Sequence, residues 1–240
     1  MEDQDKVVGD GLTAENANWS FSGETSKSFD QHVSKSVPLY NEGHDLVCKL
    51  SDFFLRPDSL CYELGCSTGT LTVKLAERNK HKENVKVIGI DKEVGMFDEA
   101  NKKKGDLNVE FLCDDILQYE LEQADLIVCY YVVQFIRPSE RQRLLDKIYE
   151  SLKWGGALIL FEKVRACDAR FQDITTSLYN EFKLGNGYSS DQIIAKSRSL
   201  KGILEPFSTN GNMDLMKRAG FVDIITMMKY ITFEGFLAIK

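Results

Sequence analysis

The chain of 240 residues predicts an α/β fold with a mostly parallel sheet, an antiparallel C-terminal hairpin and an inserted pair of helices. Three observations predict it. From Leu60 onward, short runs that are apolar throughout alternate with helical patterns, the order of a parallel sheet covered on both faces. The segment Tyr62-Glu63-Leu64-Gly65-Cys66-Ser67-Thr68-Gly69-Thr70 ends a strand in a glycine-punctuated turn, and Asp91 closes the next apolar run 22 residues after Gly69. The last two apolar runs are joined by a link too short for a parallel crossover, so they must pair antiparallel.

Each element follows from local chemistry. Residues 1–28 are polar and poor in pattern and are expected to be a mobile tail, with the folded domain at 29–240. Trp19 and Phe21 interrupt that tail and are suited to dock on the body or to act as a lid. Helix signals begin near Phe29; Leu46, Val47, Leu50, Phe53 and Phe54 recur at helical spacing, and Pro57 stops the run. Strands are expected at Leu60 to Leu64, Val85 to Ile90, Val109 to Leu112, Leu126 to Tyr130 and Ala157 to Phe161, with a helix from about Thr70 to Arg78. Ser139 and Gln142 form an S-x-x-Q capping box for a helix whose buried stripe is Leu144, Leu145, Ile148 and Leu152, ended by Gly155-Gly156. Residues 164–205 then read as a helical cover, two helices joined at Gly185-Asn186-Gly187-Tyr188, the second capped by Ser189 and Gln192. Strands at about Val222 to Met228 and Phe233 to Ile239 finish the chain.

The bulk numbers exclude several classes. Hydrophobic content of 43% and charged content of 28% are those of an ordinary globular domain. A net charge of −7 leaves no global footprint for nucleic acid or an anionic membrane, so no direct nucleic-acid binding is expected. No apolar run approaches the ~18 residues of a membrane span, and a cytoplasmic protein is expected. The six cysteines contain no C-x-x-C pair; Cys61, Cys113 and Cys129 fall in strand runs as small buried hydrophobes, a reducing-compartment pattern. His44 and Cys48 are spaced i, i+4, but two ligands do not make a metal site, and none is expected. Lys102-Lys103-Lys104 before Gly105 reads as a solvated helix C-terminus. Oligomeric state is not legible, and a homodimer is left open.

The chemistry gathers on one edge. Glu63, Gly65 and Gly69, then Asp91, Asp115 and Tyr130, lie at or just past the C-terminal ends of successive strands, where open α/β sheets bind ligands. The spacing E-x-G-x-x-x-G is not the dinucleotide fingerprint. It resembles the first motif of class I S-adenosylmethionine (SAM) methyltransferases: a sulfonium cofactor has no pyrophosphate to cradle, and Glu63 would face an amino group. The plain alternative is a turn that needs positive φ for structural reasons alone. Asp91 suits the ribose diol and Asp115 the adenine amino group, with Ile116 and Met96 packing on the base. Asp114-Asp115 capping a turn is the structural alternative for Asp115.

Longer stretches narrow the likeness. Ser36-Val37-Pro38-Leu39-Tyr40, Tyr62-Glu63-Leu64-Gly65-Cys66-Ser67, Gln134-Phe135-Ile136-Arg137-Pro138-Ser139-Glu140-Arg141, Lys147-Ile148-Tyr149, and Phe182-Lys183 with Asn186-Gly187-Tyr188-Ser189 resemble the branch of class I methyltransferase-fold proteins that includes the carboxy-S-adenosyl-L-methionine synthases, which act in tRNA wobble-uridine modification. The resemblance implies a Rossmann-like seven-stranded sheet. It also implies a SAM pocket with Gly65, Cys66 and Ser67 along the amino-acid end, Asp91 and Lys92 at the ribose, Asp115 and Ile116 at the adenine, and Tyr40 closing over the sulfonium. Two positions depart from it. Tyr130 stands where the synthases carry an asparagine, and Ser197 where they carry an arginine that holds the extra carboxylate. Arg198 is one residue away, about 100° around the helix, and on the periodicity of Ile193, Ile194 and Leu200 it lies at the flank, reaching inward only by snorkelling. The expected function is therefore SAM-dependent methyl transfer to a small molecule, with Tyr40, Tyr130 and Glu162 as the polar groups best placed to touch the acceptor and Tyr188 in the cover behind them. The alternatives are a carboxy-SAM synthase that uses prephenate, and a catalytically silent SAM-binding subunit.

Overall fold

The computed structural model describes residues 6–10, 12–21 and 24–240. The chain opens with a hairpin, β1 (Lys6–Gly9) and β2 (Leu12–Ala14), followed by helices α1 (Glu24–Ser36) and α2 (Tyr40–Phe54). The sheet region then runs β3 (Leu60–Leu64), α3 (Thr70–Asn79), β4 (Lys86–Asp91), α4 (Val94–Lys103), β5 (Val109–Cys113), β6 (Ala124–Tyr130), α5 (Pro138–Ser151) and β7 (Leu152–Lys163). Helices α6 (Ala169–Gly185), α7 (Ser190–Ser199) and α8 (Thr209–Ala219) precede β8 (Asp223–Tyr230) and β9 (Phe233–Ile239).

Seven strands lie in the order β5-β4-β3-β6-β7-β9-β8. The first five in that order are parallel, and β9 pairs antiparallel with both β7 and β8. From β3 the chain winds outward through β4 and β5, then returns to β6 on the other side. That reversal opens a crevice above the C-terminal ends of β3 and β6.

The alternation of side chains divides the core into two layers. Cys61, Val87, Leu126, Val128 and Ile159 face α2 and α3, where Val47, Leu71 and Leu75 cover them. Tyr62, Leu64, Ile88, Ile127, Leu158 and Leu160 face α5 and α8, against Leu144, Ile148, Leu215 and Met216. A strand buried on both faces needs apolar residues at every position, which is why these runs lack the polar alternation of a half-exposed strand.

Several expectations are corrected. The segment expected as a tail contributes the β1–β2 hairpin, whose Val8 is buried against Ala195 of α7; the amides of Ala17 and Trp19 donate to the carbonyls of Arg198 (3.0 Å) and Ser199 (3.2 Å). Residues 1–5 lie outside the described residues. The first helical region is two helices, because Pro38 disfavours helical backbone at Val37 and Leu39 turns the chain at φ 54°. Ser139 does not cap α5: the helix starts at Pro138, whose ring fixes the first helical φ, with no side-chain cap. Gln142 instead donates to Asp146 (2.7 Å) and accepts from Arg218 (2.7 Å). The helix ends before its glycines, and Gly155 and Gly156 sit inside β7. The Ser189–Gln192 box is formed. Helix α8 escaped the pattern, since Asn and Gly fill its first turn; Ser208 caps it by accepting from the amide of Gly211 (3.1 Å). Cys113, the last residue of edge strand β5, is exposed rather than buried.

Candidate active site

A cavity of about 1170 Å³ lies over the C-terminal ends of β3, β4 and β6 and under α1, α6 and α7. That volume exceeds the roughly 300–1,000 Å³ of a pocket for one ligand and gives room for two molecules.

The glycine turn builds its floor. The amides of Gly65 and Cys66 donate to the Ile90 carbonyl (2.8 and 3.0 Å), and the Ser67 amide donates to Asp91 Oδ2 (2.8 Å). Gly65 has φ 73°, and a Cβ there would collide with Val132. Asp91 also accepts from the Glu93 amide (3.0 Å). Burial raises its pKa, opposed by those two amides, and each carboxylate oxygen keeps a lone pair for a ligand. Glu63 is buried and accepts from the Thr72 hydroxyl. Burial pushes its pKa up to about 8, so at neutral pH it is largely protonated. Met96 and Ile116 are buried apolar wall and Lys92 an exposed rim. Asp115 Oδ1 accepts from the Leu117 amide (2.8 Å), closing a turn, and the residue also lines the cavity.

Two of the residues expected at the site stand off its wall. Gly69 has φ 70°, and a Cβ there would collide with Phe111 and Ala100, so it serves the approach of α3 to β5 and α4. Glu162 is buried behind the cavity, accepting from the Val133 amide (3.0 Å), with burial raising its pKa to about 8 against the opposing pull of Arg141. It fixes the short 3-10 turn at Val133–Phe135. Tyr188 likewise turns away: its hydroxyl lies 3.3 Å from Asp10 and 3.4 Å from the ring of His32, under the hairpin. Tyr130 lines the cavity with its ring, but its hydroxyl donates to the Tyr40 carbonyl (2.7 Å) and fastens α2 to β6. Ser197 and Arg198 are both exposed and both reach the cavity wall, so the one-residue offset does not keep Arg198 out.

The aromatic cluster beside the turn was only partly legible. Tyr40 packs 4.6 Å from His44 and 5.3 Å from Tyr130, between ring centres, and stacks at 6.4 Å on Tyr131. His44 has both ring nitrogens, and Tyr131 its hydroxyl, buried without a hydrogen-bond partner. Burial lowers the His44 pKa to about 4, so the ring is neutral at physiological pH.

A latch lies across the turn. Lys103 Nζ donates to Asp30 (2.6 Å), Thr68 (2.9 Å) and Thr70 (2.7 Å), tying α1 to the start of α3. The basic run read as solvated thus turns one lysine to the site, while Lys102 pairs on the surface with Glu99. Trp19 stacks on His32 at 5.6 Å and Phe21 meets Phe135 edge-on at 4.9 Å, so both aromatics dock and line the cavity. Asp30, His44, Tyr131, Lys163 and Lys183 carried no motif that would mark them as site residues; only Lys183 fell in a stretch of resemblance.

Comparison with known proteins places the chain in a family. Residues 62–156 match a family described as methyltransferase domain. The carboxy-S-adenosyl-L-methionine synthase of Staphylococcus epidermidis is 34% identical over 223 residues, covering 92% of this chain and 97% of that protein. Its counterpart from Nautilia profundicola is 35% identical over 224 residues, covering 92% and 94%. Among solved structures, one from Methanococcus maripaludis assigned as a SAM-dependent methyltransferase aligns with TM-score 0.61 at 16% identity, over 93% of this chain and 95% of that one. Human N-acetylserotonin methyltransferase in complex with SAM aligns with TM-score 0.59 at 18% identity, over 90% and 55%. These two share the fold. The chain is an enzyme with SAM as its cofactor, and it belongs to the carboxy-S-adenosyl-L-methionine synthase branch of the class I SAM-dependent methyltransferases.

Proposed function

We propose that the protein transfers a methyl group from SAM to a small-molecule acceptor. The observation that carries this reading is Ser197 on the cavity wall, at the position where the resemblance places a carboxylate-binding arginine. Serine offers one neutral hydrogen bond where a guanidinium offers two charge-assisted ones, so a carboxylated cofactor loses its partner.

The residues present fit the cofactor. Glu63 is a buried acid without a cation, suited to an ammonium group; the Gly65-Cys66-Ser67 turn runs beside it; Asp91 takes the ribose hydroxyls with Lys92 alongside; Asp115, Ile116 and Met96 form the base slot; Tyr40 covers the sulfonium. Bound there, SAM supplies a methyl group that is already activated. The chain then has to hold donor and acceptor in line and exclude water. The Tyr40–His44–Tyr130–Tyr131 cluster supplies walls for that task, His44 being neutral at physiological pH.

A second reading, carboxy-SAM synthesis, draws support from the names of the relatives and from Arg198 at the cavity wall. Incubation with SAM and prephenate separates the two. Methyl transfer predicts no nucleoside heavier than SAM, and S-adenosylhomocysteine formed only when a small-molecule extract is added. A nucleoside heavier by one carboxyl group, dependent on prephenate, would overturn the methyl-transfer reading in favour of the second.

A further inference from the structure

Helix α1 is tied to two different bodies. Its later turns belong to the cover: His32 Nδ1 lies 2.9 Å from Asp10 in the turn of the β1–β2 hairpin, Lys35 pairs with the same carboxylate, and the Ser36 carbonyl accepts from the Tyr179 hydroxyl of α6 (2.8 Å). Asp30 reaches the opposite bank. Its Oδ1 accepts from the Thr68 hydroxyl (2.7 Å), and its Oδ2 accepts from the Thr70 hydroxyl (3.1 Å) and from Lys103 Nζ at the end of α4 (2.6 Å). Ser26 meets the first turn of α4 at Gly95, where a Cβ would come within 2.8 Å of the serine oxygen. Between the two bodies lies the mouth of the cavity, lined from α1 by Phe29, Asp30 and Val33 and from the glycine turn by Ser67 and Thr68.

The Lys103 ammonium uses all three of its N–H groups, on Asp30, Thr68 and Thr70, and each threonine hydroxyl accepts once and donates once. Burial pushes the Asp30 carboxyl up, but the bonds from Lys103 and the threonines outweigh it and keep the group ionised at neutral pH. Asp30 also makes the position tolerable for the lysine. An ammonium beside Thr70, the first residue of α3, meets the positive end of that helix's dipole, and the carboxylate offsets it. The pair is not sealed. The Asp30 side chain is 46% exposed and that of Lys103 32%, so water and salt reach it and it parts at modest cost, unlike a fully buried pair. Thr68 follows Ser67, whose amide holds Asp91, so the same knot joins α1 to the turn on which the cofactor reading rests.

We propose that Asp30 and Lys103 form an ionic latch that gates the cofactor: when made it holds α1 across the mouth, and when parted it lets SAM enter and S-adenosylhomocysteine leave. The chain can hinge between α1 and α2, where Pro38 is followed by Leu39 at φ 54°. The proposal rests on the cofactor placement given above and holds whichever product is made. Asp30 and Lys103 are positioning residues, acting through α1 and the turn. A gate acts on the barrier rather than on the bound state, so opening it quickens entry and release together. A residue that only supports the bound state would shorten its lifetime alone and weaken affinity by the same factor.

The rates at which radiolabelled S-adenosylhomocysteine enters the protein, and leaves it into excess unlabelled ligand, test the latch. Asp30→Ala should quicken both by about tenfold and leave Kd within about threefold. This variant is the clean one, because Lys103 keeps its bonds to Thr68 and Thr70; Asp30→Asn, which removes the charge at constant size, gives a second arm. Release from the unaltered protein should quicken as salt rises from roughly 0.05 to 0.5 M, and Asp30→Ala should lose that dependence. Lys103→Met should quicken release as well, and adding Asp30→Ala to it should change the rate little further, since both act on one contact. Rates unchanged in the Asp30 variants, or a Kd weakened about tenfold with entry unchanged, would overturn the latch. Asp91→Ala keeps this failure apart from that of the cofactor placement. S-adenosylhomocysteine held as tightly without Asp91 would remove the site itself, whereas binding lost there, with unmoved rates in Asp30→Ala, would remove the latch alone.

Discussion

The two halves of the cavity are built in opposite ways. The half proposed for the cofactor comes from the ends of neighbouring strands: amides from one turn, and carboxylates on β3 and β4 that each already accept a hydrogen bond. The half proposed for the acceptor is assembled from α2, α6 and the edges of β6, β7 and β9; there two ammoniums rest against one tyrosine ring, and the Tyr131 hydroxyl and the His44 imidazole are buried without hydrogen-bond partners. A satisfied site is a rigid one, matched to a ligand whose recognition chemistry recurs across the fold. An unsatisfied site costs stability and waits for a particular molecule.

The sharpest way to break this contrast is in the cofactor half. Asp91→Ala removes a buried acceptor of charge-assisted hydrogen bonds, worth about 1.5–3 kcal/mol each, so affinity for S-adenosylhomocysteine should fall roughly ten- to a hundredfold by calorimetry. Unchanged affinity in a folded variant would take Asp91 out of the site.

In the acceptor half the same kind of deletion should stabilise the free protein. An ammonium taken out of water without a counter-ion costs stability that an apolar group of similar volume does not. Lys183→Met should therefore raise Tm by several degrees, at about 2–4 °C per kcal/mol for a chain of this size. The sign with pH follows from a folded pKa of about 8 against 10.5 in the unfolded chain. The penalty is fully present below pH 8 and disappears as pH rises toward 10.5, so the gain in Tm should shrink over that window. A lower Tm at neutral pH would mean that Lys183 is a structural member of the fold.

A smaller, sharper signal distinguishes the two carboxylates that burial raises to about 8. If Glu63 receives the cofactor's ammonium, its proton must leave on binding. Calorimetry of S-adenosylhomocysteine binding at neutral pH, in buffers of different ionisation enthalpy, should show release of up to about one proton, fading above pH 8. Glu63→Gln should abolish the release; Glu162→Gln, behind the cavity, should not. The least effect is expected at the N-terminal cover. Amides between residues 19 and 45 should exchange more slowly with S-adenosylhomocysteine bound, because α1 and Tyr40 close over it. Identical exchange with and without ligand would contradict a lid.

Legibility in the sequence followed the same division. The sheet, its antiparallel end and most of the cofactor half could be read, because strand, turn and acid are consecutive and their spacing is itself the signal. Gly69 misled, since positive φ at the start of α3 looks the same whether the backbone approaches a ligand or, as here, Phe111 and Ala100. Glu162 misled because β7 outruns its expected end: the acid sits inside the paired strand, and Lys163 takes the position at its edge. The lysine pair could not be read at all. Twenty residues separate Lys163 from Lys183, and only the return of α6 over β7 and β9 brings both onto one tyrosine ring. The N-terminal hairpin has too few residues for a pattern, and its burial comes from α7 rather than from its own sequence.

Mass spectrometry of the nucleoside that co-purifies with the protein tests the central claim most directly. A methyl-donor site predicts SAM or S-adenosylhomocysteine, retained through purification and lost in Asp91→Ala. A nucleoside heavier than SAM by one carboxyl group would contradict the account, and would reassign Arg198 and the lysines to the cofactor's own charge.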